Sequence, residues 1–144
     1  MGAQMTEEVD ASLARKLGIR PGQRICLLDA PAQAAEVIER AAAGSATITD
    51  RLDALPYDSV FWWPAALEGF AEQMATLRCH ITPSGSVWVV IPKKAFAARR
   101  GVTFTWEQMQ AAALTTDLVD NKIAALTAEE YATRFVIRKD RRGG

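Results

Sequence analysis

The fold prediction begins from the stretch Val87-Trp88-Val89-Val90-Ile91-Pro92-Lys93-Lys94. Its five consecutive apolar residues predict a strand that is buried on both faces, as strands of parallel sheets are. Pro92 lacks the backbone N–H that a ladder needs, so the chain should leave the sheet there. Lys93 and Lys94 then emerge at the carboxyl end of a central strand, which is where open α/β sheets bind ligands.

Two further strands are predicted to end in the same manner. Residues 25–28 form a continuous apolar run that ends at Asp29-Ala30-Pro31. Residues 58–63 are rich in the β-branched and aromatic types that favour strands, and Pro64 follows them. A shorter stretch, residues 46–49, predicts a fourth strand. If these strands are parallel, their carboxyl ends meet at one edge of the sheet.

Helical patterns separate these strands. Residues 7–17 and 32–43 predict two helices, the first of which ends at a glycine. Apolar residues at alternating spacings of three and four predict a longer amphipathic helix that begins at Pro64, since proline favours the first helical position. Its apolar stripe consists of Leu67, Phe70, Met74, Leu77 and Ile81.

Two capping-box spacings mark further boundaries. Thr105 and Gln108 have the spacing of such a box, which predicts that a helix begins at Trp106. Thr127 and Glu130 repeat the spacing and predict a single helical turn.

The remaining segments complete the fold prediction. Residues 119–126 and 133–139 predict two strands that are close in sequence and should therefore pair antiparallel. Pro83-Ser84-Gly85 predicts a turn, and residues 95–104 predict a loop. Because strands and helices alternate, we predict one α/β domain over residues 1–144, with a mostly parallel sheet of about six strands and helices on both faces.

The composition excludes several classes of protein. The chain has 144 residues, of which 49% are apolar and 24% charged, as in globular proteins. Seventeen basic residues balance seventeen acidic ones, so nucleic acid is not a predicted partner. No apolar stretch reaches the roughly 18 residues of a membrane-spanning helix. Cys26, Cys79 and the single His80 are too few for a disulfide framework or a zinc site, so we predict a cytoplasmic protein without a metal.

Several segments resemble known families. Residues 17–24 and 83–88 look like the stretches that precede the first and fourth strands of S-adenosylmethionine-dependent methyltransferases. A closer resemblance covers nearly the whole chain and is to a family of small bacterial proteins catalogued as domain of unknown function 3052. It rests on residues 17–31, 87–94, 118–123 and 134–138. The resemblance implies a methyltransferase-like Rossmann fold and carries no established activity.

The predicted loop after the first strand argues against S-adenosylmethionine as a cofactor. Close backbone approach to such a cofactor is permitted by glycine, and this chain has Asp29-Ala30-Pro31-Ala32-Gln33 there. The Cβ atoms and the ring of Pro31 crowd the position, and proline also removes a hydrogen-bond donor. Asp50, at the end of the predicted second strand, is placed where an acid could hold a ribose hydroxyl.

The candidate site lies at the carboxyl ends of the central strands. An anionic small molecule is the predicted ligand, because lysines and helix N-termini both favour negative charge. The alternative is that the prolines only begin helices, the tryptophans fill the core and the lysines are solvated. The candidate ligand-binding residues are Asp29, Pro31, Asp50, Trp62, Trp63, Lys93 and Lys94.

Three functions are compatible with the sequence. The first is a non-catalytic binding or regulatory protein for an anionic metabolite, with a degenerate cofactor loop. The second is an S-adenosylmethionine-dependent methyltransferase, and the third is a protein-interaction scaffold. No catalytic residue is assigned, because a Ser-His-Asp or Cys-His arrangement would have to use His80 and no nucleophile elbow is present.

Overall fold

A computed structural model describes the backbone of residues 2–142 and the side chains of residues 9–142. The strands are β1 (Arg24–Leu28), β2 (Thr47–Thr49), β3 (Tyr57–Trp62), β4 (Ile81–Pro92), β5 (Leu118–Ala125) and β6 (Glu130–Ile137). The helices are α1 (Gly2–Leu17), α2 (Ala32–Ala42), α3 (Phe70–Arg78), α4 (Lys94–Ala97) and α5 (Trp106–Ala113), and a 3-10 turn covers Lys139–Arg141.

The six strands form one sheet in the order β2-β1-β3-β4-β6-β5. Strands β1 to β4 pair in parallel, whereas β6 pairs antiparallel with both β4 and β5. This confirms the predicted α/β fold with an antiparallel C-terminal pair. The carboxyl ends of β1, β3 and β4 lie together at one edge of the sheet, the carboxyl edge. The opposite one is the amino edge.

Helices cover both faces of the sheet. On one face α1 and α2 bury Leu17 and Ile38 against Phe61 and Trp88, whose rings stack with centroids 5.7 Å apart. On the other face α3 and α5 pack against alternate residues of the same strands. Both faces of the central strands are therefore buried, as their apolar sequences require.

The helix predicted from Pro64 begins later than its sequence suggests. Helix α3 starts at Phe70, because Gly69 precedes it in the left-handed conformation with φ of 74° and turns the chain. Pro64 is buried outside any helix. Ile81 belongs to β4 and not to the helix, since it pairs with Tyr57 of β3. The predicted turn at residues 83–85 is instead part of β4.

The two capping-box predictions have opposite outcomes. Both hydrogen bonds of the Thr105–Gln108 box are formed: the backbone N–H of each residue donates to the side-chain oxygen of the other. Helix α5 accordingly begins at Trp106. The spacing of Thr127 and Glu130 forms no helix. The backbone N–H of Thr127 and that of the residue before it both donate to the Glu130 carbonyl, which closes a tight connection between β5 and β6. In the predicted loop at residues 95–104, the short helix α4 was missed.

Membrane-spanning and metal-binding features are not found in the described part of the chain. Between residues 2 and 142 no helix is both long and apolar enough to cross a bilayer. The described side chains also form no group of three or more His, Cys, Asp or Glu residues that could hold a metal ion.

Truncation of Leu77 tests the core on the α3 side. Leu77 is fully buried, so we expect Leu77→Ala to lower the free energy of unfolding by about 2–5 kcal/mol. Leu55→Ala is the control, because Leu55 is 60% exposed and should change stability by about 0.5 kcal/mol or less. Urea unfolding followed by tryptophan fluorescence measures both. Equal effects of the two variants would contradict this description of the core.

Candidate functional site

The loop after β1 turns sharply into α2. Asp29 adopts the left-handed conformation with φ of 60°, which is uncommon outside glycine and best tolerated by Asp and Asn. Pro31 then caps α2 with an extended backbone, and no side chain accepts the free N–H groups of the first turn. The chain therefore makes a glycine-like turn here without glycine. The Cβ atoms of the loop and the proline ring are retained.

Asp29 and Asp50 are brought together. They line a cleft of about 600 Å³ at the ends of β1 and β2, with Glu39 of α2 as a third carboxylate. No Lys or Arg is among the described residues that line this acidic cleft. Its charge therefore disfavours an anion and suits a hydroxyl or cationic group.

Trp62 and Trp63 are buried on opposite faces of the sheet, each only 7% exposed. Trp62 stacks on Phe70 at the start of α3, with ring centroids 5.1 Å apart. The indole N–H of Trp63 donates to Oε2 of Glu130 over 2.9 Å. Both tryptophans, with the buried Pro64 that follows, fill the carboxyl edge at the end of β3. They support the core and do not line the acidic cleft.

Glu130 is the central polar residue of this edge, and sequence reasoning missed it. It is 2% exposed. Its carboxylate accepts the Trp63 indole N–H, a 2.9 Å bond from the Arg100 guanidinium and a 3.2 Å bond from the Thr127 hydroxyl. The capping-box spacing correctly pairs Glu130 with Thr127 but predicts a helical turn that does not form. The other two partners, Trp63 and Arg100, are distant in sequence, so no local signal could have revealed them.

A second cleft lies beside this network. It measures about 480 Å³ and is lined by the first turn of α2, including Pro31 and Gln33, together with Arg100 and Glu130. Pro31 thus faces a different cleft from Asp29. Arg100 is already paired with Glu130 and with Glu129, so it offers little free positive charge to a ligand.

Lys93 and Lys94 are both exposed. Lys93 precedes α4, and Lys94 is its first residue. The backbone N–H of Lys93 donates to the Glu129 carbonyl, and Lys93 lies at the N-cap of α4. Lys94 begins α4 and lines a third cleft. Neither ammonium group lies within 4.0 Å of a carboxylate among the described residues.

The third cleft is the largest of those described, at about 890 Å³. Trp106 is fixed in it by a 2.8 Å bond from its indole N–H to the Thr133 hydroxyl. Burial, and then the charge of Glu107, raises the pKa of the Tyr131 phenol. We call it the apolar cleft. It is lined by Ile91, Pro92, Lys94, Ala97, Ala98, Val102, Thr103, Phe104, Thr105, Trp106, Glu107, Ile123 and Tyr131.

The two cysteines and the histidine, Cys26, Cys79 and His80, line none of these clefts. Cys26 is fully buried, and burial raises the pKa of its thiol, so it is held in the unreactive protonated form. The Nδ1 atom of His80 lies 3.2 Å from the carbonyl oxygen of Asp53. Of the candidate residues from the sequence, Asp29 and Asp50 share the acidic cleft and Pro31 and Lys94 each line another cleft. The remaining three, Trp62, Trp63 and Lys93, line none of these clefts.

Comparison with known proteins supports the fold and leaves the activity open. No family model matches the chain, so the resemblance to domain of unknown function 3052 stays a prediction. No curated protein matches either.

Solved structures are similar at the level of the fold. An S-adenosylmethionine-dependent methyltransferase from Aquifex aeolicus aligns with a TM-score of 0.60 at 7% identity, over 89% of each chain. N-methyltransferase NodS from Bradyrhizobium japonicum aligns with a TM-score of 0.56 at 11% identity, over 92% of this chain and 96% of its own. A TehB-like S-adenosylmethionine-dependent methyltransferase from Corynebacterium glutamicum aligns with a TM-score of 0.54 at 10% identity, over 92% of this chain and 88% of its own. The chain has a methyltransferase-like Rossmann fold.

Removal of the Glu130 carboxylate tests the network at the carboxyl edge. Glu130→Ala leaves the buried indole N–H of Trp63 and the Arg100 guanidinium without their acceptor, so we expect a loss of about 3 kcal/mol in the free energy of unfolding. Glu129→Ala is the control. It removes only solvent-accessible ion pairs with Arg99 and with the partly buried Arg100 and should cost about 1 kcal/mol or less. Urea unfolding measures both variants. A similar loss in both would show that the buried hydrogen bonds of Glu130 stabilise the fold no more than the ion pairs of Glu129.

Proposed function

We propose that this protein is a non-catalytic binding protein for a small apolar molecule that carries one anionic group. The apolar cleft is the proposed site. One observation carries the proposal: among the described residues that line this mainly apolar cleft of about 890 Å³, Lys94 is the only cationic one. The ligand class is the anionic small molecule that the sequence predicts, now with an apolar body.

The size and walls of the cleft favour a small organic molecule. Its volume lies within the range of about 300–1,000 Å³ that is usual for ligand sites. Phe104, Trp106 and Tyr131 contribute aromatic surface, and Ile123 contributes aliphatic surface although it is 55% exposed. A large exposed apolar residue beside a concave aromatic surface is typical of a binding site.

The charges at the cleft favour an anion on its Lys94 side. Lys94 has no ion-pair partner among the described side chains. The N-terminus of α5 also opens on the cleft at Trp106, and helix N-termini attract negative charge. Glu107, in the first turn of α5, opposes an anion nearby. The anionic group is therefore expected at Lys94, with the apolar body along the aromatic wall.

The residues of the cleft favour binding without chemistry. Cys26, Cys79 and His80 all lie outside it. The raised pKa of Tyr131 keeps its phenol protonated at neutral pH, where it can donate a hydrogen bond but is a poor base. These features support a binding or regulatory role.

The two adjacent lysines supply a matched test. Octanoate, octanol and octylammonium share one apolar body and differ in charge, and calorimetry at fixed ionic strength measures their dissociation constants. We expect the wild type to bind octanoate most tightly. Lys94→Ala should weaken the affinity for octanoate by about fivefold, which is the effect of losing a partly exposed charge pair. The affinity for octanol should not change. Lys93→Ala is the control, because Lys93 does not line the cleft.

Two results would overturn the proposal. Equal affinity of the wild type for all three probes would remove the anionic requirement. An equal loss of octanoate binding in the Lys93 and Lys94 variants would show that general surface charge, and not the position of Lys94, attracts the anion.

A second candidate function is methyl transfer from S-adenosylmethionine, which the fold of the similar structures favours. The residues of this chain fit that cofactor poorly. Pro31 offers no N–H group and Ala30 retains its Cβ atom at the loop after β1. Trp62 and Trp63 fill the edge at the end of β3. The acidic cleft with Asp29 and Asp50 is the one feature that suits a ribose hydroxyl.

We therefore expect S-adenosylmethionine to bind with a dissociation constant weaker than about 10 μM, which corresponds to roughly −7 kcal/mol. Isothermal titration calorimetry measures it, with S-adenosylhomocysteine as a second ligand to detect a preference for the product. Tighter binding of either compound, abolished by Asp50→Asn, would promote the enzyme over the binding protein.

A further inference from the structure

A small polar cleft lies at the amino edge of the sheet, whereas the three clefts described above lie toward the carboxyl edge. It measures about 270 Å³. Three segments that carry the sequence resemblance meet there, namely residues 17–24, residues 83–88 and the start of residues 134–138. We call it the amino-edge cleft. It is lined by Leu17, Gly18, Arg20, Gln23, Asp58, Ser59, Ser84, Gly85, Ser86 and Arg134.

Arg134 is the main charged group of the cleft. It lies on β6 opposite Trp88 of β4, is partly buried, and donates from Nε to the Ser86 hydroxyl over 2.8 Å. No carboxylate oxygen of residues 9–142 lies within 4.0 Å of it. Burial, and then the charge of Arg142, lowers the pKa of Arg134 from its usual value. A guanidinium ion in this setting lacks the counter-charge that buried cations normally have.

The cations around Arg134 are engaged elsewhere. The ammonium of Lys122, which is opposite Arg134 in the register of β5 and β6, donates to the backbone carbonyl of Lys16. Arg142 donates from Nε to the carbonyl of Ile137 over 2.9 Å. Arg134 thus lines the cleft, and its two terminal nitrogens have no hydrogen-bond or ion-pair partner among the described side chains.

The other walls of the cleft are rich in hydrogen-bonding groups. Ser59 and Ser86 are buried hydroxyls, and Ser84 is exposed at the rim with Arg20. Asp58 is the one carboxylate in the lining, and it already accepts the backbone N–H of Arg24 over 2.8 Å. Two cationic side chains and three hydroxyls therefore surround the space against one engaged carboxylate.

We propose that the amino-edge cleft binds a small oxyanion, the phosphate or carboxylate group of a small molecule, with Arg134 as its principal ligand. The planar guanidinium group pairs with such oxygens through charge-assisted hydrogen bonds. Hydroxyl groups of the serines and the side chain of Arg20 complete the set of donors. A volume of about 270 Å³ holds an oxyanion with a few further atoms. This site is separate from the apolar cleft, so it stands or falls independently of the proposed function.

The test uses inorganic phosphate, glycerol 3-phosphate and acetate as probes, with binding measured by calorimetry and by thermal stabilisation at fixed ionic strength. The first two separate free phosphate from a phosphate ester, and acetate reports on carboxylate. We expect saturable binding to the wild type. Arg134→Gln should weaken it by about tenfold or more, because a charged hydrogen-bond donor is lost. Arg138→Gln, on an exposed arginine just beyond the end of β6, should leave it unchanged.

A second pair of variants keeps the test valid if Arg134→Gln unfolds. Ser84 is exposed, so its substitution should not disturb the core. Ser84→Asp places a negative charge in the cleft and should abolish binding, whereas Ser84→Asn has similar size without the charge and should retain it. Binding that is unsaturable, or equal in the wild type, Ser84→Asp and Arg134→Gln, would overturn the proposal and leave Arg134 as a structural residue.

Discussion

The hydrogen bond from the Trp63 indole to the buried carboxylate of Glu130 is the interaction on which the carboxyl edge depends. It joins the end of β3 to the start of β6 across β4, and Arg100 completes it from the segment after α4. A carboxylate that is 2% exposed is stable only when its oxygens are paired. The three donors, Trp63, Arg100 and Thr127, therefore have to stay close to Glu130. This requirement fixes the loops that carry them at the carboxyl edge.

This arrangement changes what the fold can do. Open α/β sheets bind ligands beyond the carboxyl ends of their strands, where the strand order reverses. Here that point lies between β1 and β3, and the buried Trp62 and Trp63 fill the end of β3. The clefts described around the sheet differ in charge: one is acidic, one lies beside the paired Arg100 and Glu130, one is apolar beside Lys94, and one is polar at the amino edge around Arg134. Because Trp62 and Trp63 fill the end of β3, we propose ligand binding and not methyl transfer as the function.

The sequence predicted the strands, their order along the chain and the antiparallel pair, because those depend on local apolar runs and short connections. It predicted the α5 capping box for the same reason. The start of α3 was wrong, since the left-handed Gly69 outweighs the favourable Pro64. The sequence predicted only part of the candidate site, because the cleft that a residue lines depends on the face of its strand or helix that it occupies. Of the adjacent lysines only Lys94 lines the apolar cleft. Two of the partners of Glu130 are more than 25 residues away in sequence.

We propose that a ligand binds in the apolar cleft and not at the loop after β1. Titration of isotope-labelled protein with octanoate, followed by amide chemical shifts, tests it most directly. We expect saturable shifts for Lys94, Trp106, Ile123 and Tyr131, which line the apolar cleft. Shifts concentrated at Asp29, Ala30 and Asp50, with the apolar cleft unaffected, would contradict it.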